Sequence, residues 1–234
     1  MKALLAIIIA VALASESLAE TVVTNAADLA RLVYREQKRG VAFDLRCTVL
    51  VSKYVSKGSK VCVIDDSGGV ILVSYGTASN VFFEAGRNIR ARGRTDIFGF
   101  RQIVPICKSI EILGHESPPE PEPVSIDDFR SGRFDCRYVK IRGTLRDAFD
   151  DEVDRHFIYL VLNCDGRLLY APLYSPAQEF KARDGLIGAE VEIAGICDPM
   201  AFGGRRYMVY TLLVQDSRAI RILKASDEDA FAVP

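Results

Sequence analysis

Four of the chain's nine prolines fall within seven residues, Ser117-Pro118-Pro119-Glu120-Pro121-Glu122-Pro123. Proline fixes φ and removes a backbone donor, so a run this dense joins neither a helix interior nor a central strand. It reads as a short polyproline-II strut, extended by about 3.1 Å per residue. The segments on either side carry the same signals in the same order. Leu45-Arg46-Cys47-Thr48-Val49 lines up with Ile141-Arg142-Gly143-Thr144-Leu145, and Ile64-Asp65-Asp66 with Leu162-Asn163-Cys164, each followed by a glycine turn. Gly86-x-x-Ile89-x-Ala91-x-Gly93 lines up with Gly188-x-x-Val191-x-Ile193-x-Gly195, and Ile110-Glu111-Ile112-Leu113 with Ile220-Arg221-Ile222-Leu223. A period of about 100 residues means two domains rather than a solenoid of small units. The expected boundaries are residues 20–116 for the first domain, 117–123 for the linker, 124–223 for the second domain, and 224–234 for an acidic tail.

Ala26 to Arg39 is the best helix, capped by Asn25, with Leu29, Leu32 and Val33 at helical spacing and Gly40 after it. From Ala42 the period becomes two. Phe43, Leu45, Cys47 and Val49 point one way, while Asp44, Arg46 and Thr48 point the other. Val61 to Ile64 and Val70 to Tyr75 form a hairpin across Asp65-Asp66-Ser67-Gly68-Gly69. Asn88 to Thr95 and Gln102 to Ile106 follow, the latter continuing towards Leu113. After the strut, Ser125 caps a short helix through Phe129. Strands then run over Tyr138 to Leu145, Phe157 to Leu162, Arg167 to Pro172, Glu190 to Cys197 and Tyr207 to Val214. The expected fold is mainly β: two tandem five-stranded OB-like β-barrels, each preceded by a helix, joined by the Pro-rich linker. An immunoglobulin-like sandwich wants about seven strands and, in true members, a tryptophan between two cysteines; this chain has no tryptophan.

The run Val139-x-Ile141-Arg142-Gly143, an apolar strand closed by Asn163-Cys164-Asp165-Gly166, and Gly188-x-x-Val191-x-Ile193-x-Gly195 resemble the tandem OB-like modules in extracytoplasmic parts of some bacterial sensor histidine kinases. Cys47 departs from the pattern, standing where the second copy has Gly143, and no kinase follows Leu223. The resemblance therefore implies a detached sensory or binding part.

Residues 1–19 order as a secretory signal peptide: Lys2, an apolar run from Ala3 to Ala14, then small residues at Ser17 and Ala19. The apolar run is too short to span a bilayer of about 30 Å. The expected address is periplasmic or secreted, with no membrane span after cleavage. Six cysteines, Cys47, Cys62, Cys107, Cys136, Cys164 and Cys197, follow the leader. Export permits disulfides, and most of these cysteines also suit buried strand positions. With two histidines and no CxxC pair, no metal site and no cofactor is expected.

Arg90, Arg92 and Arg94 line one face of the fourth strand, where the second copy has Glu190, Glu192 and Ala194. Residues 20–116 hold 14 Lys+Arg against 10 Asp+Glu, and residues 117–234 hold 15 against 20. This inversion makes Arg90, Arg92, Arg94 and Arg101, with Phe98 and Phe100, the candidate binding surface, either for an anion or between the copies. The bland alternative is a solvated, edge-protecting face. No catalytic residue is expected: neither His115 nor His156 has a nucleophile motif around it, and the acidic runs at Asp65-Asp66 and Asp150-Asp151-Glu152 lack calcium-loop spacing. The leading expectation is an exported, non-enzymatic binding or interaction protein whose partner is an envelope protein or ligand. Nucleic acid is disfavoured as a partner, because export removes the chain from it. The alternatives are an exported single-stranded nucleic-acid-binding protein and an envelope polymer hydrolase.

Overall fold

A computed structural model describes residues 21–55, 58–74, 83–98, 102–152, 157–174, 186–202 and 207–226. The expected leader over residues 1–19 and most of the acidic tail lie outside these residues. The two-residue period organises everything between them. In β1 (Ala42–Val55), Phe43, Leu45, Cys47 and Val49 enter a core shared with Val61 and Val63 of β2 (Gly58–Asp65), Val70 and Leu72 of β3 (Gly68–Ser74), and Ile89 and Ala91 of β4 (Arg87–Phe98). With β5 (Gln102–His115) these strands close into a barrel of order β1-β2-β3-β5-β4.

Helix α1 (Ala26–Ala30) continues as a π-helical turn over Arg31–Glu36 and covers this core with Ala26, Leu29 and Val33. Asn25 caps it by accepting from the Asp28 N–H at 2.8 Å. The helix ends earlier than its sequence pattern suggests, because Gln37 turns left-handed with φ 52°.

The second half repeats this strand order. Ser125 caps helix α2 (Ile126–Arg130). β7 (Tyr138–Asp150), β8 (Phe157–Cys164), β9 (Arg167–Tyr174), β10 (Glu190–Phe202) and β11 (Tyr207–Leu213) pair in series, and a β10–β7 pairing closes the ring. The short β6 (Glu122–Pro123) and β12 (Ile220–Lys224) flank β7 and β10. The chain is therefore mainly β, with two OB-like five-stranded barrels. Each first strand bulges at the same place, after Val49 in β1 and after Leu145 in β7.

The barrels pack against each other. Leu50, Val51, Cys62 and Ile71 on the outside of the first form one buried cluster with Cys136, Ile196 and Leu213 of the second. Gln215 accepts the Ser52 N–H across this seam at 2.8 Å, and the Lys53 ammonium lies 4.9 Å from the centre of the Phe157 ring. Gly69 permits the approach: a Cβ there would stand 1.8 Å from the Cys136 carbonyl oxygen. The proline run does not hold the barrels apart. Pro118 lies beside Leu50, Tyr138 and Gly195 along the seam, and the run ends by pairing with β7. All six cysteines are free and buried. Burial raises their thiols, to about 12 for Cys47 and Cys62, which keeps them inert.

Candidate functional site

The arginine ridge is engaged within its own barrel. Arg90 Nε and Nη2 donate to Asp44 Oδ1 and Oδ2 at 2.8 and 2.7 Å, and Arg92 Nε donates to Oδ2 at 3.2 Å. The hydrogen bonds from Arg90, with a smaller contribution from Arg92, lower the Asp44 carboxyl to about 2. Arg94 donates to the Gly40 carbonyl at 2.7 Å. Phe98 is half-buried at the end of β4, while Phe100 and Arg101 lie outside the described residues. The acidic counterpart mirrors this arrangement: Glu192 accepts from Arg142 at 2.9 Å and from Arg221 at 2.7 Å. The charge inversion thus serves two separate ion clusters, one on each barrel. The contact between copies is made instead by the apolar seam.

The second barrel carries a different kind of surface. Past the bulge that admits Arg146, β7 pairs Asp147 with Val161, Ala148 with Leu160 and Phe149 with Tyr159. Leu160 points into the core, so Phe149 and Tyr159 stand outside. Their rings stack with centroids 5.6 Å apart and planes 15° from parallel. On β9, Leu169 and Ala171 point inward, leaving Leu168 and Tyr170 outside with 48% and 41% of their surface exposed. Phe149 is 42% exposed. Tyr170 sits opposite Val161 on β8 and Thr211 on β11. These residues make an aromatic platform on the outside of an OB-like barrel, spanning β8, β9 and the end of β7, with Phe149 and Tyr170 exposed and Tyr159 half-buried.

Cations flank the platform. Arg146 is exposed at the bulge. Arg167 opens β9 and pairs with Asp127. Arg130 donates to the Leu168 carbonyl at 2.8 Å. Asp147 shares the same face, so the local charge is mixed and the aromatic rings dominate. Chemically, such a surface can stack flat, unpaired rings. Among the described residues no group of three or more His, Cys, Asp or Glu side chains is arranged to hold a metal ion, and no helix is long and apolar enough to cross a membrane. Sequence reasoning missed Phe149, Tyr159 and Tyr170. The available signal was the alternation of Phe157 to Asn163 against Arg167 to Pro172, which places Tyr159 and Tyr170 on one side.

No family model matches the chain, and no curated protein matches it. Solved structures do. The chain is similar to a murine DNA-binding protein bound with double-stranded DNA, at 11% identity over 78% of this chain and 96% of that one, with a TM-score of 0.35. It is similar to the p204 HINb domain at 12% identity over 77% of this chain and 95% of that one, TM-score 0.34. A chain of the replication protein A heterotrimer bound to single-stranded DNA matches at 14% identity over 32% of this chain, TM-score 0.27; the overlap spans 57% of that chain. Two expectations from the sequence are corrected here: an envelope interaction or sensory protein, and nucleic acid as a disfavoured partner. The murine structure is named as a DNA-binding protein and the replication protein A structure as bound to single-stranded DNA, and the outward aromatic platform is a surface the sequence reading had not found.

Proposed function

We propose that this protein binds single-stranded nucleic acid on the outer face of its second barrel. The observation that carries the reading is the stacked Phe149–Tyr159 pair, with Phe149 exposed and the exposed Tyr170 on the same face. OB-like barrels bind oligonucleotides across strands 2 and 3, and β8 and β9 hold those positions here. Base–aromatic stacking is worth about 1–3 kcal/mol per base and tolerates any sequence, since every base has a π face. A duplex hides its base faces in the stack, so the platform favours unpaired strands. The leader-like pattern of residues 1–19 supports placing this binding outside the cytoplasm, on strands released there.

Fluorescence anisotropy with a labelled oligothymidylate at low salt tests the proposal. Tyr170→Ala should weaken binding about tenfold, and Phe149→Ala with Tyr159→Ala by more than that. With about three flanking arginines, the affinity should fall with salt at a logarithmic slope near −2. The chain has no tryptophan, so quenching of tyrosine emission reports stacking directly. Absence of binding to any single-stranded DNA or RNA at low salt, or full affinity in the triple variant, would overturn the reading.

A further inference from the structure

A second surface stands on different residues. Where the barrels meet, a cleft of about 330 Å³ is lined by Arg31, Tyr34 and Arg35 of the first barrel's helix, by the β2–β3 turn, and by Arg133, Asp135 and Arg137 of the second barrel. Four arginines and two aspartates, Asp28 and Asp135, line it, and Arg31 also pairs with Glu36. Arg31 leans on Asp28 at 3.2 Å, and Arg133 pairs with Asp128. Arg137 lies 6.0 Å from the Phe134 ring centre. Gly68, Gly69 and Gly132 leave part of the wall without side chains. One polar atom there stands out: Asp135 Oδ1 is buried and has no hydrogen-bond partner among the described residues. A buried acceptor left unmade costs free energy, and Asp135 lines the cleft.

We infer that the seam cleft is a binding site for a phosphate monoester that also carries a hydroxyl group, a mononucleotide being of the class that fits. Arginine forks match phosphate oxygens two at a time, and they come from both barrels. The Asp135 carboxylate, in the cleft wall, accepts from the hydroxyl. The volume is at the lower end of small-ligand clefts and has no room for a duplex. This site goes beyond the aromatic platform and does not depend on it.

Isothermal titration of the full chain with adenosine monophosphate, inorganic phosphate and adenosine tests the inference. Saturable binding of the monophosphate is expected, with adenosine at least tenfold weaker and inorganic phosphate intermediate. Arg35→Ala and Arg137→Ala should each weaken the monophosphate about tenfold or more. Asp135→Ala should erase the preference for the monophosphate over inorganic phosphate. Urea midpoints check that each variant folds, and Arg133→Glu, on a side chain that is 68% exposed, serves should Arg35 or Arg137 prove structural. Phe149→Ala with Tyr159→Ala should leave monophosphate affinity unchanged, so the two sites fail or stand separately. No monophosphate binding, or binding indifferent to Arg35, Arg133 and Arg137, overturns the inference.

Discussion

Asp135 offers a stability measurement with a definite sign. Burial pushes its carboxyl up from 3.8 to about 6, against a smaller pull from the Arg35 guanidinium. A folded-state value above the unfolded one means the native protein holds an extra proton between about pH 4 and pH 6. Its contribution to stability is therefore fully present below 3.8, is lost as pH rises to about 6, and is flat above. At full weight a shift from 3.8 to about 6 corresponds to about 3 kcal/mol. The carboxyl is only partly buried, so solvent screening reduces this to about 1–2 kcal/mol. Asp135→Asn removes the charge and keeps the shape. Urea unfolding followed by circular dichroism across pH 4 to pH 8 should show the variant about 1–2 kcal/mol more stable at neutral pH. That advantage should vanish as pH falls to about 4. Asp44 acts in the opposite sense: its lowered value of about 2 gives stability that is lost as pH falls below the unfolded value of 3.8. The two groups therefore separate by window. Parallel pH curves for parent and variant, or a less stable variant at pH 7, would refute the reasoning.

Gly69→Ala should cost about 2–3 kcal/mol, because its Cβ would meet the Cys136 backbone oxygen rather than a yielding side chain. Its urea transition should split in two as the barrels uncouple; parent-like unfolding would count against the seam. Leu213, fully buried in that seam, should cost about 2–4 kcal/mol on truncation to alanine, read from the same transition. Arg92→Glu sets a carboxylate beside Asp44 and should cost about 1 kcal/mol, while oligonucleotide affinity by anisotropy stays at the parent value. A large loss of affinity there would return the arginine ridge to the binding surface. Expression with residues 1–19 intact should yield, by mass spectrometry of the envelope fraction, a chain starting at Glu20; an uncleaved chain in the cytoplasm would remove the export reading.

The inward faces of the barrels were legible because a period of two is a local property. Phe43, Leu45, Cys47 and Val49 declare their face without knowing their neighbours, and so do Val191 and Ile193. The seam was written in the same strands in another form. Val49-Leu50-Val51, Val70 to Val73 and Leu212-Leu213-Val214 are unbroken apolar runs, the mark of strands buried on both sides. A reading that assigns one face to the core leaves the other to solvent by default. The proline run left the packing of the barrels open for a related reason: composition reports local stiffness and says nothing of the surfaces beside it. The aromatic platform was hidden by the bulge after Leu145. The alternation of β7 breaks there, so the strand seems to stop at Leu145, and Phe149 falls in what reads as a loop. Only the pairing of Phe149 with Tyr159 restores the register.

The bulges also permit the two barrels to be compared position by position. Val51, Cys62 and Ile71 lie in one row across β1, β2 and β3. Counted from the bulge, the matching row across β7, β8 and β9 is Asp147, Val161 and Tyr170. One step further, Lys53 and Lys60 in the first barrel answer to Phe149 and Tyr159 in the second. The same outer face therefore has two fates. In the first barrel it is aliphatic and covered by the partner barrel, with Lys53 reaching over to the Phe157 ring. In the second it is aromatic and open. A face needed to hold the barrels together cannot also receive a ligand, so under the proposed function the first barrel is the support and the second the reader. This division also explains the position of the arginine cleft. The support contributes Arg31 and Arg35, the reader contributes Arg133 and Arg137, and neither barrel alone forms the pocket. Uncoupling the barrels should thus abolish monophosphate binding at the seam while leaving strand binding to the platform, and Gly69→Ala, assayed with both probes, separates those two outcomes in one protein.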